Sequence, residues 1–249
     1  MTSPGRIALV IPARHRSSRF PGKPLATIAG KSLVRRVWER CIGAFDAADV
    51  HVATDDARIA EHCRTFGANV LMTAESCLTG TDRVAEAARA LGADVIVNVQ
   101  GDEPLVEPAD VRAVVESFLE RPGAVACGMC PIDSPEDYES RTVPKVVTRP
   151  DGLLLYMSRA PIPATKERSF PPCRRQVCIY AFSRAHLEAY ASVGRKTPLE
   201  EIEDIEILRF LETGVEVRMV DLPGGSVAVD VPADVARVEA ILASRGEGA

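Results

Sequence analysis

The sequence predicts an α/β fold, with a mostly parallel sheet covered by helices on both faces, and three observations predict it. Short apolar runs alternate along the chain with longer amphipathic segments, the order of repeated βα units. Some of those runs, above all residues 95–99, are apolar at nearly every position, as strands buried on both faces are. The amphipathic segments stop at glycines such as Gly67 and Gly92, where helices commonly end. At 249 residues, 46% of them hydrophobic, the chain is long enough to bury a sizeable core and is read as one domain over 1–249.

Residues 7–11 read as a strand ended by Pro12. A helix over 32–44 and a strand over 50–54 follow, the strand closed by Asp55 and Asp56. A helix over 57–66 leads to a short strand over 69–72, and a helix over 81–91 to the strand 95–99. Residues 108–119 are a helix and 124–129 a strand. Prolines then crowd the chain as far as Pro172, and 145–148 with 153–156 read as a hairpin about Pro150-Asp151-Gly152. Residues 131–175 are therefore an excursion from the sheet and a candidate dimer contact. Beyond it come a strand over 177–182, an acidic helix over 199–211 and a strand over 215–220. A short extended stretch over 226–230 precedes a last helix over 232–243, with Pro232 suited to its first turn.

A net charge of −5 argues against a nucleic-acid binder. The polar start of the chain and the shortness of its apolar runs argue against a signal peptide or a membrane span, which predicts a cytoplasmic protein. Seven scattered cysteines fit reduced thiols. Cys127 and Cys130 form a C-x-x-C, but inside an apolar strand with no second pair to complete a zinc site. His15, His51, His62 and His186 show no metal-ligand spacing.

The chemistry concentrates where strands end. Residues 9–25, LVIPARHRSSRFPGKPL, run from a strand into a loop bearing Arg14, Arg16, Arg19 and Lys23 among small residues. Ligands of open α/β sheets sit beyond the carboxyl ends of strands. Cations there suit a polyanion such as a nucleoside triphosphate; the alternative is a solvated basic loop. Gly30-Lys31-Ser32 is not a P-loop, because the first glycine of that motif would fall on Leu25. Residues 95–104, VIVNVQGDEP, deliver Asp102 and Glu103 to a strand end, where carboxylates suit Mg2+ together with substrate phosphates. Residues 226–232, SVAVDVP, deliver Asp230 in the same way. Each aspartate could instead cap the following helix. The turn Thr79-Gly80-Thr81-Asp82-Arg83 could meet a flat ligand through Gly80 or simply begin a helix. Arg159, between prolines in YMSRAPIP, offers a fork for a carboxylate, or a surface ion pair.

These motifs, in this order and over nearly the whole chain, resemble the 3-deoxy-manno-octulosonate (Kdo) cytidylyltransferases, also called CMP-Kdo synthetases. The resemblance implies a Rossmann-like nucleotidyltransferase fold, a homodimer and a place in lipopolysaccharide biosynthesis. It implies Mg2+-dependent transfer of CMP from CTP to the anomeric hydroxyl of a 2-keto sugar acid, with release of pyrophosphate. By matched position, Arg14, Ser17, Arg19 and Lys23 would hold the triphosphate, with Ala13 beside them, and Thr79, Gly80, Thr81 and Arg83 would contact cytosine. Asp102 and Asp230 would be the metal ligands, and with Arg14, Arg19 and Lys23 they form the expected catalytic set. Gln100 would touch nucleotide and acceptor, and Arg159, Gln176, Tyr180, Glu206 and Ile207 the acceptor. Gln176 and Ile207 depart from the family, which has histidine and glutamine there, so retuning of the acceptor pocket against Kdo is expected. Cytidylyl transfer to another acid such as a phosphonate, or an idle nucleotide-binding regulator of the same fold, are the alternatives.

Overall fold

A computed structural model describes residues 5–17 and 19–247; Ser18, inside the basic loop, lies outside them. β1 (Ile7–Ala13) runs past Pro12 into that loop, which closes in a 3₁₀ turn at Lys23–Leu25. A small hairpin of β2 (Thr27–Ile28) and β3 (Lys31–Ser32) leads into α1 (Leu33–Ile42), capped by Ser32 Oγ accepting from Arg35 N at 3.3 Å. β4 (Val50–Thr54), α2 (Ala57–Thr65) and β5 (Asn69–Met72) follow. Next come α3 (Gly80–Ala88), β6 (Val95–Val99), α4 (Pro108–Glu120) and β7 (Val125–Pro131). The excursion holds α5 (Pro135–Glu139) and the hairpin of β8 (Lys145–Thr148) and β9 (Leu154–Ser158). β10 (Arg174–Ser183), α6 (Arg184–Ser192), α7 (Pro198–Glu203), α8 (Leu208–Glu212), β11 (Val217–Asp221) and α9 (Ala233–Ser244) complete the chain.

The strand order is β11-β7-β10-β6-β1-β4-β5, with β8 and β9 joined to the side of β10. β4, β5 and β6 extend β1 in parallel, and β11 lies parallel to β7. β10 runs against its neighbours β6 and β7, so its amino half lies beside the carboxyl end of β6. Alternation along the strands sorts the two faces. Leu9, Ile11, Val97 and Val99 pack under α1, α2, α4 and α9; Ala8, Val10 and Ile96 pack under α3, α6 and α8. Each fully buried Val, Leu or Ile on these faces contributes about 1.5–3 kcal/mol.

Most expected elements are found within a few residues of their bounds, but the acidic helix differs and some elements were not foreseen. The helix expected over 199–211 is two, α7 and α8, because Asp204 takes a left-handed conformation at φ 50°. The break lets Glu203 turn to Ser158 and Tyr156 while Glu206 turns to α3, which one continuous helix would not allow. The stretch 226–230 joins no ladder among the described residues. α5, the β2–β3 hairpin and α6 were not foreseen; in α6 the cap is unusual. Its capping box uses His186 where the sequence signature has Glu or Gln: Ser183 Oγ accepts from His186 N at 3.1 Å, and His186 Nδ1 from Ser183 N at 3.3 Å.

Candidate active site

The loop after β1, the turn after β6 and the stretch 226–230 meet at the edge of a cavity of about 560 Å³. Two glycines permit this closeness. Gly22, at φ +71°, takes the left-handed turn that returns the loop, its N–H bonding His15 O at 2.9 Å. A Cβ on Gly101 would stand 2.5 Å from Pro12 O, so the turn after β6 can lie against the end of β1 only with glycine there.

Lys23 joins the three segments. Its Nζ donates to Asp102 Oδ2 at 2.8 Å and to Val229 O at 2.7 Å, and stands 3.9 Å from Asp230 Oδ1. Arg19 Nη2 donates to the same Asp230 oxygen at 3.0 Å, and Val229 N donates to Asp102 O at 2.9 Å. Asp102 and Asp230 therefore converge on one ammonium. Asp230 does not cap α9: Asp234 Oδ2 accepts from the N–H groups of Asp230 and Val231 at 2.7 and 2.9 Å. Burial, and then Asp102, push the Asp230 carboxyl above the ordinary aspartate value, against the pull of Lys23 and Arg19. Ala13, Arg14 and Ser17 line the same end of the cavity, whereas Arg16 points away and pairs with Glu75.

At the turn before α3, Thr79 is the helix cap and lines the cavity with Gly80. A Cβ on Gly80 would stand 2.8 Å from the Gln100 amide, so this wall too is packed to glycine. Glu206 binds the open N-terminus of α3. It accepts from Gly80 N at 2.9 Å, Thr81 N at 2.8 Å and Thr81 Oγ1 at 2.5 Å, and from Gln100 Nε2 at 3.3 Å. Burial nonetheless holds its carboxyl above the usual range. Thr81 lies behind that carboxylate, 1% exposed and off the cavity wall, so its expected place in the lining is corrected. Arg83 reaches the wall, but its guanidinium is turned to Asp55 at 3.3 Å and to the Thr73 hydroxyl.

The other end of the cavity is lined by Arg159, Gln176, Cys178 and Tyr180. The Arg159 fork is already occupied by carbonyls: Nε donates to Glu203 O at 2.5 Å, Nη1 to Arg141 O at 2.9 Å and Nη2 to Asp204 O at 2.9 Å. Two of its five N–H groups remain for another partner. Gln176 Nε2 donates to the Tyr180 hydroxyl at 3.0 Å. Ile207 is a second correction. It is 1% exposed and packs in the core under α8, one position round from Glu206, so it does not line the cavity and a glutamine there would not face it. Sequence reasoning also missed Ser226 and Lys196, which line the wall, and gave no role to Glu103, which lines it too. Glu103 stands in the GDEP turn, but nothing in the pattern tells which of two adjacent carboxylates faces a ligand.

Two carboxylates beside an open cavity lined by cations fit Mg2+, which takes one or two protein carboxylates and completes its shell with water and substrate phosphate. The ammonium of Lys23 already occupies the point on which they converge. Among the described residues no group of three or more His, Cys, Asp or Glu could hold an ion by itself, so substrate must complete such a site.

Known proteins are similar to this chain along nearly its whole length. The sequence profile of the cytidylyltransferase family matches residues 8–217. A 3-deoxy-manno-octulosonate cytidylyltransferase of Myxococcus xanthus is 42% identical over 97% of this chain and 98% of its own length. One from Geobacter sulfurreducens is 44% identical, over 93% and 97%. A mitochondrial one from Arabidopsis thaliana is 40% identical, over 96% and 84%. The solved structure of a CMP:2-keto-3-deoxy-manno-octonic acid synthetase complexed with CTP superposes with a TM-score of 0.88 at 34% identity, covering 96% of this chain and 99% of that one. A glucose-1-phosphate thymidylyltransferase structure from Bacillus anthracis, 13% identical with a TM-score of 0.67, shares the fold alone. The fold is thus the Rossmann-like nucleotidyltransferase fold, and the chain belongs to the cytidylyltransferase family.

Proposed function

We propose that this protein transfers CMP from CTP to the anomeric hydroxyl of 3-deoxy-manno-octulosonate, releasing pyrophosphate. One observation carries the reading. Arg14, Arg19, Lys23, Asp102 and Asp230 come together at one end of a single cavity, in a chain that matches a CTP-bound synthetase along nearly all its length. The relatives' names supply the acceptor.

In this reading Arg14, Ser17, Arg19 and Lys23 hold the triphosphate, and the wall of Thr79, Gly80 and Gln100 takes the base. The acceptor hydroxyl attacks the α-phosphorus, a P–O bond forms, the α–β anhydride breaks, and the hydroxyl proton passes to solvent as pyrophosphate leaves. Catalysis is then alignment of the two substrates plus neutralisation of charge spreading over phosphate oxygens. Lys23 and Arg19, released from the aspartates, stabilise the departing pyrophosphate. Asp102 and Asp230 hold Mg2+, which when bound supplies charge neutralisation and lowers the pKa of the acceptor hydroxyl. No side chain need act as nucleophile. Cys178 lines the cavity, but burial pushes its thiol well above the ordinary value and keeps it protonated. Arg159, Gln176 and Tyr180 face the acid, Arg159 through its two remaining N–H groups. The enzyme works as a cytoplasmic homodimer in lipopolysaccharide biosynthesis, with the excursion 131–175 as a contact; Leu155 and Phe170, exposed there, support that placement.

Pyrophosphate release tests the reading. With Mg2+ and Kdo, CTP should be consumed, and ATP and GTP should not. Equal consumption of all three would remove the base assignment, and no release with any acid would remove the reaction.

A further inference from the structure

Asp230 sits on a stretch that no strand pairing fixes among the described residues, yet it must face Asp102 across Lys23. A backbone bond from Val229 N to Asp102 O at 2.9 Å holds the end of the stretch beside Asp230, and the start of the stretch is held by side chains, chiefly Glu103. Glu103 is 2% exposed and follows Asp102 directly. Its N–H bonds Gln100 O at 3.2 Å, which anchors it to the turn after β6. Its Oε1 accepts from Cys178 N on β10 at 3.3 Å, and its Oε2 accepts from the hydroxyl of Ser226, itself 2% exposed. Arg175 Nη2 holds the Ser226 carbonyl from the other side at 2.7 Å. One carboxylate thus ties the turn that carries Asp102, the strand beside it and the stretch that carries Asp230.

We infer that Glu103 is a positioning residue that sets the spacing of Asp102 and Asp230, and so the affinity of the cation site they form. Burying a carboxylate is costly unless it is fully bonded, and an apolar residue of its size would fill the same space. What an apolar residue would not do is fix a stretch without strand pairing to within the tolerance an ion site needs. The inference rests on the cytidylyltransferase reading, because it needs Asp102 and Asp230 to hold the ion.

Mn2+ binding, followed by the electron paramagnetic resonance of the free ion with CTP present and no acceptor, tests it. Ser226→Ala should weaken Mn2+ binding roughly tenfold, the scale on which outer partners of metal ligands act. Ser226→Thr, which keeps the hydroxyl, should recover most of the loss. Glu103→Gln keeps the size and should lose a similar factor; circular dichroism establishes that each variant is folded. Folded Ser226→Ala and Glu103→Gln that bind Mn2+ as the parent does would overturn the inference and leave the reaction standing. A parent that binds no Mn2+ with CTP would overturn both.

Discussion

Lys23 bonds partners 79 and 206 residues further along the chain, and the aspartates it brings together are the pair on which turnover should depend. Asn in place of either keeps the shape and removes the charge. Asp102→Asn and Asp230→Asn should each slow pyrophosphate release about a hundredfold or more, on the scale of roughly 3 kcal/mol of barrier. Their melting temperatures should stay near the parent's, and a variant with parental turnover at saturating Mg2+ would show that its aspartate is no ligand. The sequence already showed an aspartate at the end of each of two apolar runs, but not whether it would face the cavity or cap the next helix. At Asp230 the choice turned on Asp234, four positions on, which takes the capping duty and frees Asp230 to point at Arg19. At Ile207 the position matched to the family misled: the break at Asp204 rotates the following residues, sending Glu206 to the cavity and Ile207 to the core.

At the scale of elements, the α7–α8 pair is pinned to the start of α3 by a buried ion network. Arg209, 0% exposed, donates to Glu200 from Nε at 2.6 Å and Nη2 at 2.7 Å, and to Asp82 from Nη1 at 2.8 Å, with its guanidinium over the Tyr190 ring at 3.7 Å. Truncating the arginine leaves two carboxylates facing one another, one of them fully buried. Arg209→Met should therefore cost about 3–5 kcal/mol, read as a shift of the urea midpoint at constant slope. The KM for CTP should rise with it, because the same pair carries Glu206 to the N-H groups of Gly80 and Thr81. A variant as stable as the parent would mean that the network merely breaks even. The acidic run 200–206 reads in sequence as a solvated face, since charge runs usually are. Glu200 and Glu206 depart from that because their partners, Arg209 and the start of α3, lie across a break and on another element.

For the molecule as a whole, the pattern of apolar runs carried the sheet and its mostly parallel sense, but not the reversal of β10. A strand buried on both faces reads alike in either direction. The reversal follows from the excursion, which returns the chain to the carboxyl end of the sheet and so brings Gln176, Cys178 and Tyr180 to the cavity from the amino half of their strand. Shape and charge then act together at the other end. Asp102, Asp230, Lys23 and Arg19 form a closed set of two anions and two cations with no formal charge left over. A phosphate chain arriving alone must draw the cations off their aspartates, and a metal arriving alone must draw the aspartates off their cations. Arriving together, they exchange partners with the set, two ion pairs for two, and neither leaves a charge stranded. Titration calorimetry should accordingly find CTP binding at least tenfold tighter with Mg2+ than with chelator, a coupling of about 1.4 kcal/mol or more that Lys23→Ala reduces. On the proposed function, this ion set, neutral in itself, admits metal and triphosphate together as a salt, by double displacement.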